Sequence, residues 1–334
     1  MIVELDSLAE LEAAVAGRRA RAYIGYRATD ELRRGGASAP PEPCRLPLVA
    51  VDVDPAPASP GRGSHSIGEW RTTWSEGEYA AAVDVVRAAI AEGDVYQVNL
   101  VQHLCASFEG DPASLAHALA RFRPLEPDAL TGDGWAIVSA SPELLLSKRG
   151  RTIRTSPIKG TRPAGVPVDD AKDAAEHVMI VDLERNDLSR VAKPGSVRWP
   201  ELLVERELAG VTHLVATVEA ELRDGVGLTE LLEAVLPGGS VTGCPKIAAL
   251  DLIAGLEPVG RGAAMGALGT FFPNGDFDLA LTIRTFAIAD GAIHLWVGGG
   301  IVWDSDPAAE VEESWVKARP LLEAIRAPLP AAVA

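Results

Sequence analysis

Residues 264–302 carry the pattern that decides the fold: AMGALGTFFPNGDFDLALTIRTFAIADGAIHLWVGGGIV. Two turn signals, Asn274-Gly275 and Asp290-Gly291, interrupt runs that are mostly apolar. Turns of this composition join neighbouring antiparallel strands, because their central residues tolerate a left-handed backbone. The stretch therefore predicts an antiparallel meander. Its predicted strands are residues 264–272, 277–289 and 292–297.

Helices are predicted on both sides of this meander in the sequence. A capping box at Ser75 and Glu78 opens a helix that Gly93 ends, and Asp306-Pro307 opens the last helix. A further helix is predicted over residues 170–183. Other predicted strands are residues 95–104, 135–140, 143–147 and 151–155. Because antiparallel hairpins occur together with long helices, we predict an α+β protein with large antiparallel sheets flanked by helices.

The composition limits the classes of partner. The chain has 334 residues, 47% of them hydrophobic, and a formal net charge of −16. A chain this acidic is not expected to bind nucleic acid, and an anionic substrate would need a local cationic or metal site. Cys44, Cys105 and Cys244 lie far apart, which is typical of the reducing cytoplasm. No run of about 18 uncharged apolar residues and no signal-peptide pattern is visible, so no membrane partner is expected.

Lys159 follows Pro157 by two residues and directly precedes Gly160. This arrangement predicts a tightly turned loop. A lysine that such a loop holds away from water loses its proton more easily, and the neutral amine is a nucleophile. The alternative is an ordinary solvated lysine, which this run alone does not exclude.

The last predicted helix places Glu310, Glu313 and Lys317 on one face, because they are three and four residues apart. Taken alone, the three fit a solvated face with an ion pair. The preceding Gly298–Gly300 would let a backbone approach a ligand closely and offer N–H donors to an anion. The same glycines also fit a bulged strand end.

Three more polar positions each allow more than one interpretation. Arg284 lies in the middle of an apolar run, where an arginine needs a carboxylate ligand, a buried partner or an outward orientation. His213 fits either a structural hydrogen bond or proton transfer, and the residues alone favour the structural role. Glu176 lies on the predicted helix 170–183, where capping and ion pairs are an ordinary explanation.

Six motifs together resemble the chorismate-utilising enzymes, which include anthranilate, aminodeoxychorismate, isochorismate and salicylate synthases. The motifs are Gly93–Leu100, Ser141-Pro142-Glu143, Pro157–Pro163, Asp182–Val191, Pro237–Lys246 and Gly298–Val302. The resemblance implies the anthranilate synthase component I type of fold, with a central active-site cleft. The implied divisions are a short N-terminal segment (1–74), a chorismate-binding catalytic domain (75–327) and a C-terminal tail (328–334).

Lys159 narrows the resemblance within the family. Anthranilate synthases usually carry alanine in this motif, whereas aminodeoxychorismate synthases carry lysine. The resemblance implies that Lys159 attacks C2 of chorismate and expels the C4 hydroxyl, after which ammonia enters at C4 and Lys159 leaves. Amination at C4 without net migration needs two displacements, and a protein nucleophile supplies the first. The expected product is 4-amino-4-deoxychorismate, for para-aminobenzoate and folate synthesis.

The resemblance also implies roles for other motif residues. Glu143 matches the general acid that protonates the departing hydroxyl, and His213 matches the active-site histidine. Glu176 and Glu313 match the carboxylates that bind Mg²⁺, a metal that prefers few carboxylates together with waters and substrate oxygens. The implied substrate contacts are Thr242, Gly243, Arg284, Gly298, Gly299, Gly300 and Lys317.

Three positions distinguish this chain from some relatives. Gln97 stands where isochorismate and salicylate synthases carry a water-activating lysine, and glutamine cannot act as a general base. Thr270 replaces a common tyrosine, and Cys244 replaces a common alanine. The extended segment in which relatives bind tryptophan is not recognisable, so feedback control by tryptophan is not expected.

Other functions remain as alternatives to 4-amination. One is an anthranilate synthase component I or a secondary-metabolism enzyme that aminates chorismate, although Lys159 would itself occupy C2. Another is a non-catalytic chorismate-binding subunit, against which Glu143, Glu176 and Glu313 weigh. No cysteine lies in a Gly-x-Cys-x-Gly nucleophile elbow. Ammonia is therefore expected from a glutamine amidotransferase subunit.

Overall fold

A computed structural model of the chain describes residues 2–35, 38–56, 63–163, 171–208 and 211–326. The helices are α1 (Leu8–Val15), α2 (Glu76–Glu92), α3 (Pro112–Leu119), α4 (Ala171–Ser189), α5 (Leu228–Val235), α6 (Lys246–Leu256) and α7 (Pro307–Ala324). Short 3₁₀ helices cover Tyr26–Leu32, Ala120–Phe122 and Gly239–Val241.

The strands are β1 (Ile2–Leu5), β2 (Ala20–Ile24), β3 (Val49–Val53), β4 (His65–Ile67), β5 (Arg71–Thr72), β6 (Gln97–Gly110), β7 (Leu130–Thr131), β8 (Trp135–Ser139), β9 (Leu144–Arg149), β10 (Thr152–Ser156), β11 (Ile158–Pro163), β12 (Arg198–Leu208), β13 (Val211–Glu221), β14 (Gly243–Cys244), β15 (Ala267–Phe271), β16 (Phe277–Leu281), β17 (Thr285–Ala289) and β18 (Ala292–Ile301).

Within the described residues these strands form two antiparallel sheets. The ten-stranded sheet has the order β1-β3-β2-β15-β16-β9-β10-β13-β11, and β12 also pairs with β13. The eight-stranded sheet has the order β14-β6-β18-β17-β8-β7, and β4 and β5 also pair with β6. The predicted α+β fold with large antiparallel sheets and flanking helices is confirmed.

Strand alternation divides the apolar residues between two cores. On β17, Phe286 and Ile288 belong to the core that α2, α3 and α7 share with the eight-stranded sheet. Their neighbours Ala287 and Ala289 belong to the core that joins this sheet to the ten-stranded sheet and to α1, α4 and α5. Successive strand residues point to opposite faces, so one strand supplies both cores.

Both predicted ends of α2 and the predicted start of α7 are confirmed, whereas the helix predicted to end at residue 183 continues as α4 to Ser189. At α2, the Ser75 hydroxyl accepts from the Glu78 N–H, the Glu78 carboxylate accepts from the Ser75 N–H, and Gly93 ends the helix with φ 86°. At α7, the Asp306 carboxylate accepts from the Ala309 N–H at 2.9 Å.

The predicted strand 277–289 is wrong as a single element. It is divided into β16 of the ten-stranded sheet and β17 of the eight-stranded sheet. Arg284 lies at this crossing with φ 51°, a left-handed conformation that is uncommon for a side chain other than glycine. The apolar run hides the crossing because both halves are buried. Arg284 is therefore not in the middle of a strand.

Lys159 lies in strand β11, so the prediction of a loop at this residue is wrong. It pairs with Leu214 of β13, and the register shifts between Lys159 and Thr161. Gly160, with φ 58°, supplies the left-handed residue that this bulge needs. Pro157 thus precedes the start of the strand and Gly160 forms a bulge. The same two residue types also occur in turns, which is why the sequence predicted a turn here.

The glycine run belongs to a regular strand. Residues 298–300 of β18 pair with Val101, Leu100 and Asn99 of β6, so the strand predicted to end at residue 297 continues to Ile301. The bulged-end interpretation is therefore wrong.

The predicted boundary at residue 74 does not separate two sheets. Strands β1–β3 belong to the ten-stranded sheet, where β2 pairs along its length with β15. The predicted tail, 328–334, lies outside the described residues. Among the residues that are described, no helix is long and apolar enough to span a bilayer.

Candidate active site

Lys159 is half-buried, and its Nζ donates to the carbonyl oxygen of Ser240 at 3.2 Å. Burial lowers the pKa of the Lys159 amine; the charge of Glu176 opposes this shift, and that of Lys317 adds to it. The charges of Glu143 and Glu313 also act on this pKa. A lowered pKa increases the neutral fraction of the amine, which is the nucleophilic form.

Glu143 precedes β9 and is 4% exposed. Its Oε1 accepts a hydrogen bond of 2.7 Å from the Ser240 hydroxyl. Burial raises the pKa of the Glu143 carboxyl, while this hydrogen bond and the charges of Lys159 and Arg284 oppose the rise. A carboxyl that keeps its proton at higher pH can serve as a general acid.

Ser240 connects the two groups, and the sequence did not identify it. Its carbonyl oxygen accepts from Lys159, and its hydroxyl donates to Glu143. It lies on the short helix Gly239–Val241, within the Pro237–Lys246 motif. A serine that follows two glycines has no pattern that distinguishes it from an ordinary turn residue, so only the fold reveals its contacts.

His213 and Arg284 lie beside this centre. The His213 ring is 1% exposed, and its Nδ1 is 3.3 Å from the carbonyl oxygen of Gly160 in the Lys159 strand. Burial, assisted by the charge of Arg284, lowers the pKa of His213 to about 4. The ring is thus neutral near pH 7. Arg284 is held at its unusual φ by a hydrogen bond of 2.9 Å from the Ala140 N–H to its carbonyl oxygen.

Helix α7 supplies the opposite, more exposed part of the site. Lys317 Nζ lies 2.8 Å from Glu313 Oε1 and donates to the Gly298 carbonyl oxygen at 2.8 Å. A Cβ atom on Gly299 would lie 3.2 Å from Glu313 Oε1, 3.3 Å from Glu310 Oε2 and 3.4 Å from Lys317 Nζ. Glycine at 299 therefore leaves room where these three side chains meet.

The carboxylates of this region suit Mg²⁺ by their chemistry. No cluster of three or more His, Cys, Asp and Glu side chains assembles a metal site among the described residues. Mg²⁺ commonly takes one or two carboxylates and completes its shell with water and substrate oxygens. Glu176 and Glu313, the carboxylates predicted to bind Mg²⁺, both lie near enough to Lys159 for their charges to act on its pKa, and their binding of the metal stays a prediction.

Thr242 and Gly243 hold the turn beside this region. The Thr242 hydroxyl donates to the Gly238 carbonyl at 2.8 Å, and its own carbonyl accepts from the Asn99 N–H at 2.8 Å. Gly243 has φ 143°, and a Cβ there would collide with the carbonyl oxygen of Gln97. These contacts give both residues a structural function in the turn.

Several buried polar atoms have no hydrogen-bond partner among the described residues. Both amide atoms of Gln97, which is fully buried and lies against Gly300, belong to this group. So do Asn99 Nδ2, both ring nitrogens of His177 and Thr282 Oγ1. Such atoms are rare in native proteins and indicate a place for water or a ligand. His177, Asn99 and Thr282 were not identified from the sequence, because each could equally be an ordinary buried polar residue.

A second acidic side chain, Glu184, lies near Glu143. The Glu184 carboxylate is 6% exposed and accepts from Thr155 Oγ1 at 2.8 Å. Burial, with the nearby charge of Glu143, raises the pKa of Glu184 to about 8. Asp187 is instead neutralised by Lys246 at 2.6 Å. The site thus rests on a protein interior that keeps its carboxyls protonated or paired.

A separate cavity of about 290 Å³ lies away from these groups. Helices α1 and α5 and the side chains of Phe271, Phe272 and Phe277 line it. It contains none of the catalytic candidates, so its size is not evidence about their chemistry.

Comparisons with known proteins identify the family of the chain. The family model of the chorismate binding enzyme matches residues 22–323. The chain is 39% identical over 295 residues to anthranilate synthase component 1 of Streptomyces coelicolor, which covers 84% of this chain and 58% of that protein. It is 42% identical over 265 residues to aminodeoxychorismate synthase component 1 of Klebsiella aerogenes, which covers 76% of this chain and 59% of that protein.

The chain spans about three fifths of the length of these curated relatives. Among solved structures, anthranilate synthase component I of Streptococcus pneumoniae superposes with a TM-score of 0.84 at 24% identity, over 96% of this chain and 86% of that one. The menaquinone-specific isochorismate synthase of Escherichia coli gives a TM-score of 0.74 at 18% identity, over 97% of this chain and 84% of that one. These two likenesses establish the fold, and the family match with the sequence identities establishes that the chain belongs to the chorismate-binding enzyme family.

Proposed function

We propose that this chain aminates chorismate at C4, the reaction of an aminodeoxychorismate synthase component I. The observation that carries the proposal is Lys159, a desolvated lysine whose pKa is lowered by burial and which shares Ser240 with the carboxyl of Glu143. Relatives with anthranilate synthase and aminodeoxychorismate synthase names are about equally similar overall, so the choice rests on this residue.

In the proposed reaction the neutral Lys159 amine forms a bond to C2 of chorismate. Both double bonds of the ring diene shift, and the C4 hydroxyl leaves as water after taking a proton from Glu143. Ammonia then bonds to C4, both double bonds shift back, and the Lys159 amine leaves C2. Each step uses one nucleophile and one leaving group, so that atoms and electrons balance.

The other residues bind and orient the substrate. The Arg284 guanidinium and the Lys317 ammonium supply positive charge for the carboxylates of chorismate. Mg²⁺ held by Glu176 and Glu313 would add positive charge at the ring carboxylate. Because the His213 ring is neutral, it is better suited to hydrogen bonding near Lys159 than to the role of a general acid.

Two residues support 4-amination over the alternatives. Amination at C2, as in anthranilate synthases, needs that carbon free, and Lys159 would occupy it. Gln97 is buried, and its amide cannot act as the base for water addition. A non-catalytic chorismate-binding subunit would have no need of a half-buried amine beside a buried carboxyl, because the desolvation of such groups is costly.

The ammonia would come from a separate glutamine amidotransferase. Cys44, Cys105 and Cys244 are partly buried, and burial raises the pKa of the Cys44 thiol to about 12. A thiol that stays protonated is a poor nucleophile. The chain is therefore proposed to use ammonia and not glutamine.

Product analysis tests the proposal. Purified protein with chorismate, Mg²⁺ and ammonium salts at raised pH should form 4-amino-4-deoxychorismate, identified by chromatography and mass. Anthranilate, isochorismate or salicylate as the main product would contradict it. Glutamine should replace ammonium only when a glutaminase subunit is added, and chelation of Mg²⁺ should stop the reaction reversibly.

A further inference from the structure

Arg261 is a buried arginine that no motif assigned to the site. Its side chain is 1% exposed and binds Glu257 through hydrogen bonds of 2.9 and 2.7 Å. The same guanidinium donates to the carbonyl oxygen of Val241 at 2.8 Å and to that of Asn99 at 2.7 Å. One cation thus joins the loop after α6, the short helix Gly239–Val241 and strand β6.

The contact with Val241 leads directly to the catalytic candidates. Val241 follows Ser240, whose carbonyl oxygen accepts from Lys159 and whose hydroxyl donates to Glu143. The peptide that Arg261 holds is therefore one residue away from the one that orients both reacting groups. A displacement of the Val241 carbonyl would move Ser240 and change the directions of both hydrogen bonds.

The loop that carries Arg261 is also held from its other side. The ring of Tyr26 lies 5.0 Å from the guanidinium carbon of Arg261. The next residue, Gly262, donates its N–H to Glu42 at 3.0 Å and accepts from the Tyr23 hydroxyl at 3.1 Å. Residues of the first fifty, predicted as a separate segment, thus support the loop.

The chemistry of this contact favours geometric control. A buried ion pair is a weak source of stability, because desolvation of both charges offsets their attraction. The planar fork of arginine, however, reaches several acceptors in fixed directions, which the single ammonium of lysine cannot do. Here the fork binds one carboxylate and two carbonyl oxygens at once.

We propose that Arg261 is a positioning residue for the reaction. By holding Val241 it fixes Ser240, and through Ser240 it keeps the Lys159 amine and the Glu143 carboxyl aimed at the substrate. The inference rests on the function proposed above, because that function gives Lys159 and Glu143 their roles.

Two variants test this function of Arg261. Arg261→Lys keeps the charge but cannot reach all three acceptors. The double variant Arg261→Gln/Glu257→Gln removes both buried charges together, which is the change that a folded protein tolerates best. Arg223→Lys, at a surface arginine bound to Glu230 at 2.8 Å, is the matched control. The readouts are thermal melting, kcat, KM for chorismate with ammonium, and the fraction of Lys159 trapped as an adduct.

We expect kcat to fall about 10²-fold in both variants, as misplacement of reacting groups does. KM for chorismate should change by no more than about threefold, since the substrate contacts remain. Adduct formation should fall with kcat, and the control should match the wild type. Wild-type kcat in either folded variant, or a loss that only follows the loss of folded protein, would overturn the inference. The wild-type protein could instead form a product other than 4-amino-4-deoxychorismate, with a kcat that still falls in Arg261→Lys. That result would contradict the proposed function but not the positioning role of Arg261.

Discussion

Two lysines of the site lie in opposite environments. Lys159, on β11 of the ten-stranded sheet, is half-buried and donates to a carbonyl oxygen, and burial lowers its pKa. Lys317, on α7, is 41% exposed and paired with Glu313 at 2.8 Å. The difference supports Lys159 as the proposed nucleophile, because a desolvated amine gives up its proton more easily. The role proposed for Lys317 is contact with a substrate carboxylate.

The carboxylates repeat this contrast. Glu143 is 4% exposed, and burial raises its pKa, so it suits proton donation. The Glu313 side chain is 50% exposed and carries an ion pair, so it suits a bound cation. In the proposed function, β9 and β11 of the ten-stranded sheet would thus position the groups that react, and α7 would supply the groups that bind.

The largest expected effect separates the two lysines. Lys159→Ala should lower kcat by about 10⁴-fold or more, because it removes the nucleophile. Lys317→Ala should instead raise KM for chorismate about tenfold, the usual cost of one hydrogen bond to a charged group. Steady-state kinetics with ammonium measure both values. Lys193→Ala, at a surface lysine, is the control. Equal losses of kcat in Lys159→Ala and Lys317→Ala would contradict the different roles proposed for the two lysines.

The carboxylates should separate in a similar way. Glu143→Gln should lower kcat by about 10²- to 10⁴-fold, the usual contribution of a general acid. The wild-type kcat should fall as pH rises through the Glu143 pKa, because the protonated form is required, and the raised pKa moves this fall to higher pH. The variant should lose this limb of the pH profile. Glu313→Gln should keep it but require more Mg²⁺, and an unchanged Mg²⁺ requirement would contradict the metal assignment.

Two glycines distinguish turn geometry from site space. Gly243→Ala should destabilise the protein by about 1–3 kcal/mol, because φ 143° and the Gln97 carbonyl exclude a side chain. Gly299→Ala should leave the melting temperature nearly unchanged but raise KM for chorismate or Mg²⁺, since its methyl group would crowd Glu310 and Glu313. The measurements are thermal melting and kinetics. The opposite pattern would mean that the two glycines have been assigned the wrong functions.

Burial also lowers the pKa values of two histidines outside the site. Their effect on the pH dependence of stability is the smallest effect expected. His103 Nε2 lies 3.0 Å from His294 Nδ1, and burial lowers the pKa of His103 to about 3 and that of His294 to about 4. The unfolded rings titrate near pKa ~6.5. Below this pH the unfolded state binds protons first, so the pair lowers the stability as pH falls from about 6.5 to about 4 for His294 and to about 3 for His103.

The variant His294→Gln should therefore lose less stability than the wild type between pH 7 and 5. The raised pKa values of Glu42, about 7, and Glu184, about 8, act in the opposite direction. The difference between the two proteins is thus the informative quantity, measured by thermal melting at each pH. His117→Gln, at an exposed ring, is the control. Parallel curves for wild type and His294→Gln would contradict the burial argument.

Local signals in the sequence predicted much of the fold, but not where strands change sheets. The capping box at Ser75 and the N-cap at Asp306 were recognisable because they satisfy helix ends with adjacent residues. The crossing at Arg284 was not, because a run that is buried in two different sheets has the same apolar pattern as one long strand. The strand position of Lys159 was missed because a bulge and a turn use the same residues.

Local sequence signals also identified only part of the candidate site. Lys159 and Glu143 were identifiable from their motifs, and their environments agree with the functions expected of them. Ser240 and Arg261 were not, because their contacts join segments far apart in the chain and no spacing records them. Gln97 was noticed for its residue type, but its unpartnered amide became visible only in three dimensions.

Covalent catalysis by Lys159 should be visible in the mass of the peptide that contains this residue. Protein denatured during turnover with chorismate should carry an adduct on the peptide that contains Lys159, with the mass of chorismate less one water. The adduct should be absent in Lys159→Ala and present in Lys317→Ala. Production of 4-amino-4-deoxychorismate at the wild-type rate by Lys159→Ala, without any adduct, would contradict the account.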